Sequence, residues 1–275
     1  MKLSVITINY NNIAGLRKTI DSVVHQTNND FEYIIIDGGS TDGSVDIIKE
    51  YDDKIDYWIS ESDKGIYNAM NKGVDVAKGE YCIFMNSGDC FYCNETINNV
   101  LYQIGDFDII SGNTKESNGR ILLNEKEITF KKLYLSTICH QSTFIKTNLL
   151  KRFPYDESLK IASDWKFWLQ TLIIENCTYK GVDILISIYD VSGISYTNWD
   201  LGIEERRIVL NEMFPQRILN VMEELCYGRT WEEKLYLGIR RSKYHKLLYS
   251  LNVLFMKMIT MFRKSWISEF PTRIK

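Results

Sequence analysis

The run Phe84-Met85-Asn86-Ser87-Gly88-Asp89-Cys90-Phe91 sets one carboxylate in a turn directly after an apolar segment, Glu80 to Met85. Asn, Ser, Gly and Asp are ordinary turn formers. A carboxylate at the C-terminal end of a buried strand has a second use, because that edge of an α/β sheet is where ligands bind. Other polar groups stand at equivalent places. Thr7 and Asn9 close the run Leu3 to Asn9, and Asp37 closes Phe31 to Asp37 just before Gly38-Gly39-Ser40-Thr41-Asp42-Gly43. The Gly38-Gly39 step lets the backbone approach a ligand closely, and the helix after it offers N–H groups. Farther along, Asp164 lies in Ile161-Ala162-Ser163-Asp164-Trp165-Lys166-Phe167-Trp168-Leu169. Helical spacing over 164–175 predicts a helix with Ser163 as its N-cap. A carboxylate in a first helical turn is kept ionised by the helix dipole, which suits a general base; ordinary capping uses the same residue.

These groups need elements to position them. Leu3 to Asn9 is nearly continuous in apolar character, as a parallel strand covered on both faces should be. Asn11 and Asn12 can cap a helix running to about Gln26, with Leu16, Ile20, Val23 and Val24 on one face. A strand ending at Asp37, a helix to about Tyr51, a short strand from Asp56 to Ser60, a helix from Ile66 to Ala77 and a strand from Glu80 to Met85 follow. Such alternation predicts a mostly parallel sheet flanked by helices, with right-handed crossovers. Parallel strands put their C-terminal ends on one side, so Thr7, Asn9, Asp37 and the turn 86–89 can converge on one ligand.

Composition restricts the classes available. Of 275 residues, 45% are hydrophobic and 25% charged, the balance of a water-soluble globular chain. Cys90 and Cys93 alone have metal-like spacing, and no second pair completes a zinc site. The start of the chain lacks the apolar length and cleavage site of a signal peptide. The net charge of −3 hides an asymmetry: from residue 229 onward 11 basic side chains face three acidic ones. The acidic remainder argues against a nucleic-acid partner. Residues 231–262 alternate apolar and basic side chains at helical spacing, and their longest apolar run is too short to span a bilayer. They are expected either to lie on an anionic membrane surface or to pack on the rest of the chain or on a second subunit of a homodimer.

Four motifs, in order, carry a family resemblance: Ser4-Val5-Ile6-Thr7-Ile8-Asn9-Tyr10-Asn11; Ile36-Asp37-Gly38-Gly39-Ser40-Thr41-Asp42-Gly43; Ser62-Asp63-Lys64-Gly65-Ile66-Tyr67-Asn68-Ala69-Met70-Asn71-Lys72-Gly73; and Asn86-Ser87-Gly88-Asp89. Together they resemble family 2 glycosyltransferases over roughly residues 2 to 195. The resemblance implies a GT-A fold and inverting transfer from a nucleotide-sugar donor, UDP-linked, to a saccharide or polyprenyl-linked acceptor. It implies a hexosyl- or N-acetylhexosaminyltransferase of bacterial surface-polysaccharide synthesis, working in the cytoplasm at the inner face of the membrane. Residues 1–228 would form the catalytic domain, with a donor-binding half (1–112) and an acceptor-binding half (113–228), and 229–275 a helical tail.

By match of position, Thr7 and Asn9 would line the nucleotide pocket, Asp37 would hold the base, and Asp63 would lie near the ribose or uracil. Gly38, Asn68, Asn86 and Ser87 would complete the donor side. Asp89 would coordinate Mn²⁺ or Mg²⁺ bridging the diphosphate, and Asp164 would be the catalytic base. Many members carry two carboxylates at the metal motif, whereas this chain has Gly88 before Asp89. Cys139-His140-Gln141-Ser142-Thr143-Phe144 is similar to a His-Gln strand entry in one branch, where His140 would contact phosphate, metal or acceptor. Asp190-Val191-Ser192-Gly193-Ile194-Ser195 is similar to a flexible loop in which Gly193 and Ser195 close over the donor. Trp165 would stack on the acceptor sugar.

Overall fold

The computed structural model describes residues 2–193 and 198–228, with isolated positions between 234 and 254. The chain divides into two compact units, 1–213 and 214–275. The boundary expected at 228/229 therefore falls inside the second unit. Ser195 and most of the basic tail lie outside the described residues. Among the described residues no helix is long and apolar enough to cross a membrane.

The first unit is α/β. Its strands are β1 (Leu3–Asn9), β2 (Phe31–Asp37), β3 (Tyr57–Ser60), β4 (Tyr81–Phe84), β5 (Cys90–Phe91), β6 (Ile109–Glu116), β7 (Ile121–Leu122), β8 (Thr143–Lys146) and β9 (Tyr179–Tyr189). They form one sheet in the order β3-β2-β1-β4-β8-β6-β9-β5, with β7 beside β6. The helices are α1 (Ile13–Val24), α2 (Ser44–Glu50), α3 (Ile66–Val76), α4 (Thr96–Leu101), α5 (Phe130–Leu135), α6 (Thr147–Arg152), α7 (Ser163–Trp168) and α8 (Trp199–Met213); α9 (Gln216–Tyr227) belongs to the second unit.

β1 to β4 pair in parallel, as strand–helix alternation requires. Every residue of β1 is buried, which explains its nearly continuous apolar character. Leu16, Ile20 and Val23 carry α1 onto that sheet, and the Asn12 side chain caps the helix by accepting the Gly15 N–H at 3.1 Å. The second half is mixed. β8 runs antiparallel to both β4 and β6, β5 antiparallel to β9, and β6 parallel to β9. This change of direction matters for the site. Because β8 opposes β4, the start of β8 lies beside the end of β4, and His140 arrives next to Asn86. By the same logic the end of β9 brings Asp190 to Asp89 across the β5–β9 pair.

Register aligns the first three strand ends. Asn9 pairs with Asp37, and Asp37 with Ser60. Past its last ladder residue, β4 still follows β1: the Met85 and Ser87 N–H groups donate to the Ile6 and Ile8 carbonyls at 2.8 and 3.1 Å. The 86–89 turn therefore stands level with Asn9.

The helix bearing Asp164 starts one residue earlier than expected. Ser163 is its first helical residue and not the N-cap; its hydroxyl accepts the Asp156 N–H at 2.6 Å instead. α7 then continues as a π-helical segment, Leu169–Ile174.

Candidate active site

Asp37 organises one part of the sheet edge. It is fully buried, yet each oxygen is answered. Oδ1 accepts from Asn9 Nδ2 at 2.7 Å and the Ser40 hydroxyl at 2.6 Å. Oδ2 accepts from the Ser60 hydroxyl at 2.6 Å and from the Ser40 and Gly39 N–H groups at 2.9 and 3.2 Å. Burial alone would raise its pKa, but these bonds to the charged form outweigh it and hold the carboxyl below its ordinary value. Its acceptor capacity is spent on folding the 38–40 loop. Gly39 takes a left-handed φ of 80° there. A side chain on Gly38 would collide with the Asp63 carboxylate, 2.6 Å from where its Cβ would stand, so that glycine is what lets Asp63 close on the loop. The exposed Tyr10 ring borders the same point.

Asp89 has the opposite environment. It too is buried, but among the described residues it is answered by few groups: Oδ1 accepts the Asp190 N–H at 2.8 Å, and the Gln141 side chain also favours the charged form. Burial dominates and pushes its pKa up to about 6, with the neighbouring Asp190 charge adding to the rise and His140 opposing it. Asn86 Oδ1 and the Ser87 hydroxyl in the same turn are buried without a hydrogen-bond partner. Gly88 has φ 107°, and a Cβ there would stand 2.8 Å from Asp190 Oδ2. The space a side chain at Gly88 would need is thus taken by the Asp190 carboxylate, just past the end of β9.

From this turn a continuous chain leads to the second half. Asn86 Nδ2 lies 3.2 Å from His140 Nε2, and His140 Nδ1 lies 3.1 Å from Asp164 Oδ2. With Asn86 donating to Nε2, the ring proton sits on Nδ1 and is donated to the carboxylate. Tyr67 donates to the Ile161 carbonyl at 2.6 Å and stands 3.3 Å from Asp164 Oδ1. The Asp164 side chain keeps 14% exposure, so the carboxylate is held without being sealed.

The donor set around Asp89 fits an oxygen-preferring divalent cation. A desolvated carboxylate lacking a positive partner, beside two unpartnered buried oxygens, is stabilised by one. Among the described residues no group of three or more His, Cys, Asp or Glu could hold a metal ion. Mg²⁺ and Mn²⁺ take one or two carboxylates and complete their shells with water and phosphate oxygens, so Asp89 with Asn86 and Ser87 could contribute to such a shell.

Three expected residues are not available to a ligand: Asp37, whose oxygens are spent as described and so do not hold the base, Thr7 and Trp165. Thr7 is fully buried; its hydroxyl donates to the Met85 carbonyl at 2.8 Å and stands 3.0 Å from Tyr33, so it braces β1 against β4. Trp165 is also buried, with its indole N–H donated to the Leu133 carbonyl at 2.8 Å, so it cannot stack on a sugar. Asn68 donates to Glu157 at 2.9 Å, joining α3 to the loop before α7. Gly193 follows a turn in which the Ser192 N–H donates to Asp190 at 3.0 Å.

Sequence reading missed Glu205 and Arg206. Glu205 accepts the Lys160, Ile161 and Ala162 N–H groups at 2.7, 2.8 and 2.9 Å, so α8 caps the backbone that leads into α7. The available signal was the spacing of Glu205 to Val209, one helical turn on the buried face of α8.

The sequence model described as Glycosyl transferase family 2 matches residues 4–163. A PGL/p-HBAD biosynthesis glycosyltransferase of Mycobacterium bovis is 28% identical over 202 residues, covering 70% of this chain and 79% of that protein. S. aureus TarS 1-349 in complex with UDP has the same fold, with TM-score 0.59 and 23% identity over 70% of this chain, which spans 61% of that one. Its UDP-GlcNAc complex gives TM-score 0.64 and 20% identity over 88% and 74% of the two chains. A Pyrobaculum calidifontis mannosyltransferase in complex with GDP-Man and Mn²⁺ gives TM-score 0.61 and 13% identity, covering 96% of this chain and 81% of its own.

Proposed function

From the premise that the chain belongs to glycosyl transferase family 2 and is a glycosyltransferase, we propose that it transfers a hexosyl or N-acetylhexosaminyl group, with inversion, from a UDP-linked donor. The acceptor is a saccharide or a lipid-linked saccharide of bacterial surface-polysaccharide synthesis, met at the inner face of the cytoplasmic membrane. The observation that carries this reading is the Asn86–His140–Asp164 chain, which ties a half-open carboxylate to the turn of Asp89. A base on one side and a charge-stabilising turn on the other are what a single in-line displacement needs.

Asp164 accepts the proton of the acceptor hydroxyl as its oxygen attacks the anomeric carbon, and the bond to the departing diphosphate breaks with its electrons going to the phosphate oxygen. His140 holds Asp164 Oδ2 and, through Asn86, keeps a fixed tautomer. The Trp165 backbone N–H, which donates at 2.7 Å, holds Oδ1, and the Tyr67 hydroxyl, whose proton goes to the Ile161 carbonyl, packs beside it. Asp89, with Asn86 and Ser87, would hold Mn²⁺ or Mg²⁺, which when bound neutralises charge on the leaving diphosphate. Gly38, Asp63 and Tyr10 offer the nucleoside a surface, while Asp37 and Asn9 shape it from behind. A panel of nucleotide sugars read by thermal shift with Mn²⁺ tests the donor, since a ligand bound to the folded state alone raises its stability. Transfer followed by NMR tests the rest: an α-linked donor gives a β-linked product. Retention, or stabilisation by no nucleotide sugar, contradicts the proposal.

A further inference from the structure

Two adjacent arginines on α8 behave differently. Arg207 faces solvent and pairs with Glu204 at 2.7 Å. Arg206 turns inward, its guanidinium carbon 4.9 Å from the Trp165 ring centroid and within the field of Asp164 and Tyr67. Burial lowers its pKa, against the pull of those two groups. No hydrogen bond or ion pair of Arg206 occurs among the described residues, and none of its nitrogens is sealed from solvent.

A cation over a ring satisfies the face of the guanidinium and leaves its five N–H donors free. An arginine that merely covered Trp165 would lay its stem there and extend the head into water. Here the head itself is over the ring. A partly dehydrated guanidinium with unspent donors matches a planar or tetrahedral oxyanion, which it binds through two parallel hydrogen bonds.

The side of the site is set by the chemistry. In an in-line displacement the leaving diphosphate and the base stand on opposite sides of the anomeric carbon. Arg206 lies with Asp164 and with the residue that follows it, so it meets the incoming molecule. Resting on the glycosyltransferase reading, we infer that Arg206 binds an oxyanion of the acceptor, a phosphate ester or a sugar carboxylate, next to the hydroxyl that Asp164 deprotonates. The acceptor is then an anionic saccharide or polyol, and a neutral sugar is a poor substitute.

Isothermal titration of the full chain tests this with three probes, glycerol 3-phosphate, glucuronate and glucose, each added with UDP and Mg²⁺ at saturation so that the donor side is filled. The wild type should bind one of the two anions and not glucose. Arg206→Met should weaken that anion about tenfold or more. Arg206→Lys, which keeps the charge but not the fork, should fall between. UDP affinity should stay at the wild-type level in both variants, which also reports that they are folded. Equal anion binding by wild type and Arg206→Met, no anion binding by the wild type, or a loss of UDP affinity in Arg206→Met each overturns the inference. A wild type that binds no UDP contradicts the glycosyltransferase reading separately, and the anion series is then read without nucleotide.

Discussion

Asp37 and Asp89 are both buried carboxylates at strand ends of one sheet edge, and they are in opposite electrostatic states. Asp37 receives five hydrogen bonds and is held below its ordinary pKa. Asp89 is answered by far fewer groups and is pushed up to about 6. Burial is common to both, so it is the supply of donors that separates them. Where donors saturate the carboxylate, the group builds a loop. Where they are withheld, the folded chain keeps an unmet charge that a cation would satisfy, and Asn86 Oδ1 and the Ser87 hydroxyl in the same turn are also unmet. Stability has been given up at one strand end and gained at the other.

The largest effect expected lies at the far end of the chain of contacts from Asp89. Asp164→Asn removes the proton acceptor while keeping the shape, and should lower kcat by roughly 10²–10⁴ with donor affinity retained. Unchanged turnover would break the link between the open edge and the chemistry.

Asp89→Asn sharpens the contrast by reversing the usual sign of a buried substitution. Because its folded pKa is raised, the native state takes up the proton first, and stability from this group falls as pH rises from about 4 to about 6. The metal-free variant should therefore be more stable than wild type at pH 7, by up to about 3 kcal/mol, and indistinguishable at pH 4. Thermal unfolding in EDTA at both pH values measures it. The same variant should lose cation-dependent donor binding.

Asp37→Asn should do the reverse. It puts an amide donor against donors and should destabilise by about 1–3 kcal/mol at pH 7. With its pKa depressed, Asp37 stabilises above about 4, and that contribution is lost as pH falls through its lowered value. Equal pH slopes for the two variants would mean that the two strand ends do not differ. Smallest is Glu205→Gln, which leaves one acceptor for three N–H groups. A loss of about 1 kcal/mol and a lower kcat at unchanged donor affinity are expected.

Much of this edge was legible in the amino-acid sequence. Continuous apolar runs ending in Asn9, Asp37 and the 86–89 turn mark parallel strands, because only strands covered on both faces read that way. The Gly38 and Gly88 positions were visible as well, but not the side chains that occupy the space they leave. Asp63 and Asp190 come from other elements. The same limit explains Thr7 and Trp165: nothing local tells whether a Thr at a strand end or a Trp beside a polar turn faces inward. In Glu204-Glu205-Arg206-Arg207 four consecutive charges give no local sign of which two turn inward. Docking of α8 on the loop before α7 makes Glu205 a cap and Arg206 an inward cation, while Glu204 and Arg207 pair outside. The His140 contact likewise depends on β8 running against β4, a reversal that strand–helix alternation does not announce.

On the proposed function, the unmet charge of Asp89 is reserved for a divalent cation that accompanies the donor. Manganese binding followed by electron paramagnetic resonance, with and without UDP, tests it most directly in wild type and Asp89→Asn. Tight Mn²⁺ binding that requires UDP, strengthens as pH rises through about 6 and disappears in Asp89→Asn is the predicted result. Mn²⁺ bound equally by both proteins, or with no dependence on UDP, would contradict it.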